Sequence, residues 1–241
     1  MSDPLLAIVF IDYDNLRLAK KELSVLDVAT RVLVQLQWDQ SQARGCCEIR
    51  VYGGWYEGNQ ITRMAQELAV NLKRDFPAVI RVPIGDGKYL PLKTSAELAF
   101  SLLQEPAYHL FNTYRKKEKP RNVRIEKPSQ VGCEDADCLL PQMKNLLNKG
   151  SCPKMGCSVT SCELVYRREQ KIVDTMLACD LIHAVDRVSG QVILVSADDD
   201  FLPPLRTVLL RGGRAVRCHP LPSTERAAFP QGGTKLLELD L

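Results

Sequence analysis

The apolar run Ala7 to Ile11 stops abruptly at Asp12, Tyr13, Asp14 and Asn15. A short apolar run bounded in this way reads as a buried strand over 7–11. Downstream, 26–38 carries apolar residues at helical spacing, and 47–55 reads as a strand closed by Gly53 and Gly54. The alternation continues with a helix over 60–76 ending at Pro77, a strand over 78–84 and a short helix over 95–104. Periodicity then lapses for some sixty residues and resumes in a helix over 170–185. After it come a strand over 191–195, a helix over 201–211 with Pro203 and Pro204 in its first turn, a Gly212-Gly213 stop and a strand over 214–219. Strands alternating with helices predict an α/β fold with a central, mostly parallel sheet.

Two of these strands end in acid. Strand 7–11 delivers Asp12 and Asp14, and strand 191–195 delivers Asp198, Asp199 and Asp200. In open parallel sheets the ligand site lies beyond the carboxyl ends of the strands, where the strand order reverses. If the two strands are neighbours there, five carboxylates converge, and such a cluster shares protons or binds a cation. Oxygen donors alone select a hard ion, Mg²⁺ or Mn²⁺. On the helix 170–185, Asp174 and Asp180 lie about 120° apart amid apolar neighbours, so each needs a cation or a partner. For Asp174 the plain alternative is a helix cap, and for Asp180 a buried arginine.

Composition narrows the setting. The 241 residues are 45% hydrophobic, the net charge is +3, and no apolar run approaches the roughly 18 residues of a membrane helix. No basic start or cleavage site marks a signal peptide, so the expectation is a cytoplasmic protein without a membrane partner. Nine cysteines then read as thiols or metal ligands. Cys133, Cys138, Cys152, Cys157 and Cys162 cluster, and any four of them would form a structural Zn²⁺ site for a segment too polar to build a core. Just before them, 114–127 holds seven Lys or Arg against two Glu, with Lys116, Lys117, Lys119, Arg121 and Arg124 as candidate phosphate contacts. Trp55 and Tyr56 are candidates for stacking an unpaired base, with a place in the core as the plain alternative for Trp55.

The motifs FIDYDN, Lys171 to Asp174 as K-x-V-D, VYGGWYEGN and LVSADDDF together resemble the NYN domain, a branch of the PIN-like nucleases, over about residues 5–90 and 163–220. The resemblance implies a PIN-like three-layer α/β/α domain formed by 1–104 and 163–222, interrupted by an insertion at 105–162 that holds the basic arm and the cysteines. Residues 223–241 are then a tail. It also implies a metal-dependent ribonuclease, with Asp12, Asp174 and Asp198 as main ligands of Mg²⁺ or Mn²⁺ and with Asp200 and Asn15 as direct or water-mediated ligands. Asp14 and Asp199 rank lower. Two other readings stay open: a haloacid-dehalogenase-like phosphatase with Asp12 as nucleophile, and a zinc-containing RNA-binding protein without activity. Specificity would come from the insertion, a homodimer or a protein partner.

Overall fold

The apolar run at the start of the chain becomes strand β1 (Leu5–Asp12), buried from Leu6 onward as the middle of a parallel sheet requires. The computed structural model describes residues 3–20, 22–118, 127–132, 139–152, 154–224, 226 and 236–241. In chain order β1 is followed by α1 (Tyr13–Ala19), α2 (Val25–Val34), β2 (Gly45–Tyr52), β3 (Tyr56–Glu57), β4 (Gln60–Ile61), α3 (Arg63–Asp75), β5 (Ala78–Gly85) and β6 (Lys88–Leu98). Then come β7 (Tyr114–Glu118), α4 (Leu140–Lys149), α5 (Ser161–Leu164), β8 (Tyr166–Gln170), α6 (Val173–Ala184), β9 (Gln191–Val195), α7 (Leu202–Leu210), β10 (Arg214–His219) and β11 (Leu237–Asp240). The chain divides into two units, Met1–Thr113 with Lys171–Leu241, and Tyr114–Gln170. Among the described residues no helix is long and apolar enough to cross a membrane.

The larger unit is a seven-stranded sheet in the order β11-β10-β9-β1-β2-β6-β5, parallel throughout except for β5. β1 pairs with β2 on one side and β9 on the other, so the strand order reverses at β1. Period-two alternation then sorts the side chains. Val9, Ile11, Ile49 and Ile193 share one core with Val28 and Val32 of α2 and Leu68 and Leu72 of α3. Ile8, Phe10, Val192 and Leu194 share the other with Met176, Leu177 and Leu181 of α6 and Leu205 and Val208 of α7. The helix starts are fixed locally: Ser24 and Asp27 form a capping box on α2, and Thr62 caps α3.

Three elements differ from the sequence reading. The helix expected over 95–104 is instead the end of β6, whose Leu90, Leu92, Thr94 and Leu98 are buried at strand spacing. Asp86 and Gly87, both at positive φ, turn the chain from β5 into β6, and pairing with β2 on the far side fixes the extended form over the helix preference of Ala-Glu-Leu. The strand expected over 47–55 ends at Tyr52. Residues 237–240, expected in a tail, close the sheet as the edge strand β11.

The smaller unit is bounded by an antiparallel ladder of β7 and β8 and contains α4, α5 and a bridge between Ser151 and Thr160. None of the residues of α4 is buried. Cys152 and Cys157 lie on the turn that this bridge closes, where the Cys157 amide donates to the Lys154 carbonyl at 3.1 Å. Cys133 and Cys138 lie outside the described residues, as does the side chain of Cys162. Elsewhere Cys47 and Cys218 are core residues: burial pushes the Cys47 thiol up, and that of Cys218 to about 12.

A buried polar network ties α6 to β2. Arg50, 5% exposed, donates from Nε to the Tyr52 hydroxyl (3.2 Å) and from its guanidinium to the Ser101 carbonyl (2.6 Å) and to Glu97. Tyr52 in turn donates to Asp180 (2.6 Å), which also accepts from the Leu103 amide (2.8 Å) and stands 3.6 Å from Arg50. Asp180 therefore has a structural partner, the buried arginine allowed for by its sequence. Replacing Asp180 by alanine leaves a buried cation and two donors short of acceptors. Asp180→Ala is expected to lose about 3–5 kcal/mol in urea unfolding, and Asp180→Asn less.

Candidate metal centre

β1 and β9 run side by side with Ile11 opposite Val195, so their carboxyl ends emerge together. Alternation sends Asp12 and Ser196 to the α6 face of the sheet. There Asp12, 6% exposed, serves as the N-cap of α1: Oδ1 accepts from the Asn15 amide (3.3 Å), and Oδ2 from the Asn15 side chain (2.5 Å) and the Ser196 hydroxyl (3.0 Å). Ser196 Oγ also accepts from the Asp198 amide at 3.1 Å, and Asp198 caps the following turn by accepting from the Asp200 amide at 2.9 Å. One buried hydroxyl thus locks the loop after β9 to the acid at the end of β1. Asp12 uses three of its roughly four acceptor positions, leaving capacity for a cation.

Asp174 comes from the first turn of α6 and is solvent-exposed. Partial burial of its carboxyl and then the charges of Asp12, Asp198, Asp200 and Asp14 raise its pKa above the ordinary carboxylate value. Burial pushes Asp12 up as well, opposed by its bonds to Asn15 and Ser196. The residue before α6 proper, Ile172, sits at φ 63°, in the left-handed region that a β-branched side chain rarely adopts. The turn into the helix that carries Asp174 is therefore strained.

The sequence-predicted site residues separate as follows. Asp12, Asn15, Asp174, Asp198 and Asp200 come together at the end of β1 and β9, with Asp14 near enough to add to the field. Asp199 turns to Arg217 of β10, whose guanidinium stands 2.9 Å from Oδ1, while Arg217 Nε donates to the Ser196 carbonyl at 3.3 Å. Trp55 is a correction: it is fully buried, its ring lies over Gly53 and against Tyr13, and its Nε1 donates to the Val51 carbonyl, so it has no face for a base. Lys116 is exposed on β7. Lys119, Arg121 and Arg124 lie outside the described residues, as does the side chain of Lys117.

Ser196 and Arg217 were missed by sequence reasoning. Ser196 stands inside the acidic motif LVSADDDF, and a hydroxyl two residues before Asp198 was its signal; Arg217, between Val216 and Cys218, signalled a buried charge in need of an acid.

The donors, carboxylate and amide oxygens, suit a hard divalent ion. Among the described residues no three His, Cys, Asp or Glu side chains stand close enough to enclose a metal ion, so the carboxylates lie within reach of each other's charge in an open array. Its exposed members are Asp174 and Asp200. No family model, curated protein or solved structure matches the chain.

Because the folded state holds Asp174 above its ordinary pKa of 3.8, ionising it costs stability above that folded pKa, and the cost disappears once pH falls below 3.8. In metal-free buffer Asp174→Asn is therefore expected to raise stability at pH 7 by up to about 1 kcal/mol and to leave it unchanged near pH 3, as read by thermal unfolding.

Proposed function

We propose that the protein is a metal-dependent ribonuclease that hydrolyses RNA phosphodiester bonds at the carboxyl edge of β1 and β9. The observation that carries this reading is the gathering of Asp12, Asp174, Asp198 and Asp200 from three separate elements at the reversal of strand order, with Ser196 bonding two of them together. The resemblance of their motifs to the NYN domain supports the same activity. Asp12, Asp174 and Asp198 would hold Mg²⁺ or Mn²⁺, with Asp200 and Asn15 direct or through water. A bound divalent ion lowers the pKa of water and neutralises charge building on the phosphate oxygens. The chain's own part is positional: Asn15 and Ser196 fix the Asp12 carboxylate, and the Asp198 cap fixes the turn that presents Asp200.

RNA meets a repulsive crevice until cations arrive, so docking falls to basic residues such as those of 114–127. The cysteine cluster would organise this polar unit around zinc, four thiolates from the five.

Cleavage of a mixed pool of structured and unstructured RNA is expected with Mn²⁺ or Mg²⁺ and not with EDTA. Asp12→Asn is expected to lower the rate more than about 100-fold, since even groups that only orient metal ligands are worth 10–100-fold. Retained activity in Asp12→Asn overturns the assignment, and turnover of small phosphate monoesters without RNA cleavage would mark a phosphatase instead. Elemental analysis of freshly purified protein is expected to give close to one zinc per chain, and an absence of zinc returns the cysteines to free thiols.

A further inference from the structure

Beyond the end of β6, a loop brings Phe100, Tyr108, His109 and Phe111 close behind one another, and the rings of Phe100, His109 and Phe111 gather on Tyr56 of β3. His109 lies nearly parallel to Phe100, at 25° with centroids 5.5 Å apart, so Phe100 covers one face of the imidazole. His109 is solvent-exposed, with the rings of Tyr56 and Phe111 tilted beside it at centroid distances of 6.3 and 6.2 Å. Phe111 meets Tyr56 edge-on at 4.8 Å and is still 46% exposed, and the neighbouring Tyr108 is 67% exposed. Rings that served only to fasten the loop would bury this apolar area. The cluster instead presents an open aromatic surface.

Its location gives the surface a use. Tyr56 follows β2 and Phe100 follows β6, and both strands run parallel to β1, so the rings lie at the same edge of the sheet as Asp12. A bonded path joins them to the acidic crevice. The Tyr56 amide donates to Thr113 Oγ1 (3.0 Å), the Thr113 carbonyl accepts from the Lys171 amide (2.9 Å), and Asp174 follows Lys171 by three residues. Lys171 is exposed, so the backbone path from the rings to Asp174 carries a cation. A flat apolar face, a nearby cation and then a metal-binding crevice match, in that order, a base, a phosphate and the next phosphodiester of a single strand. The Tyr56 hydroxyl, 3.3 Å from His109 Nδ1, holds the exposed imidazole within the cluster.

We propose that His109 and Phe111, backed by Phe100 and Tyr56, form a stacking platform for an unpaired base of the RNA, and that the protein therefore selects single-stranded over duplex substrate. This rests on the ribonuclease reading. Its test is binding in buffer free of Mg²⁺ and Mn²⁺ and without chelator, where no metal-dependent cleavage runs and bound zinc stays in place, so the platform and the catalytic assignment fail separately.

The probe is a short single-stranded RNA carrying 2-aminopurine, whose fluorescence falls when the base stacks. Wild type is expected to quench the probe on binding. A His109→Leu, Phe111→Leu double variant, which keeps apolar bulk without the rings, is expected to bind about 10-fold or more weakly, with an unchanged dependence on salt because no phosphate contact is lost. Phe111→Trp is expected to keep the affinity, and thermal unfolding of both variants separates loss of rings from loss of fold. Binding without quenching, equal affinity of the folded double variant, or equal affinity of a blunt RNA duplex overturns the platform.

Discussion

The pairing of β1 with β9 is the constraint on which the rest depends. These strands are far apart in sequence and joined by parallel hydrogen bonds along Ala7 to Ile11, and because β2 lies on the other side of β1, the loops that leave their carboxyl ends diverge. A gap therefore opens above the two central strands. Strand parity decides what fills it. With Phe10 and Leu194 facing α6, Asp12 and Ser196 must face the same way, toward the helix whose first turn carries Asp174. A one-residue slip between β1 and β9 would send Asp12 and Ser196 to opposite faces and bury unpaired polar groups in the aliphatic core.

Charge is distributed so that the crevice keeps its sign. Two buried arginines lie on this side of the sheet, either of which would neutralise a carboxylate of the cluster, yet Arg50 is held by Asp180, Glu97 and the Ser101 carbonyl. Arg217 is held by Asp199 and the Ser196 carbonyl, with Glu238 3.9 Å away. Asp180 and Asp199 are thus best understood through these arginines. Each satisfies a buried cation that supports the wall of the crevice, and in doing so keeps that cation away from Asp12 and Asp198. The Arg217 pair also explains the run of three aspartates after β9: the outer two face the crevice, and the middle one fastens the loop from behind.

Much of this was legible in the chain. Long apolar runs marked β1 and β9, Gly212-Gly213 marked the start of β10, and the abrupt change from aliphatic to acid at Asp12 and Asp198 marked the site, because burial and charge leave unambiguous patterns. What escaped depended on contacts distant in sequence. The end of β6 has a helix-forming composition, and only pairing with β2 and β5 makes it extended. Trp55 beside two glycines fitted a stacking ring and a core residue alike, and the structure decides for the core: Gly53 is small so that the indole can lie over the backbone, where a Cβ would meet the ring at 2.6 Å. The role of Ser196 required knowing that its strand neighbour ends in Asp12. His109 and Phe111 were passed over because the loop that carries them shows no periodicity.

The centre carries a local cost in stability. A β-branched residue in the left-handed region costs on the order of 1–3 kcal/mol, and Ile172 adopts that conformation directly before the helix that supplies Asp174. Asp174 and Asp12 are both held above their ordinary pKa values, so each is less comfortable ionised in the fold than in the unfolded chain. A structure optimised for stability alone would place glycine at 172 and a neutral residue at 174. Strain and repulsion fall on the same turn, and together they hold a carboxylate where a cation would relieve the repulsion. The surrounding fold sustains this through the two apolar layers and the Arg50-Tyr52-Asp180 network, which anchor α6 further along its length while its first turn is left under load.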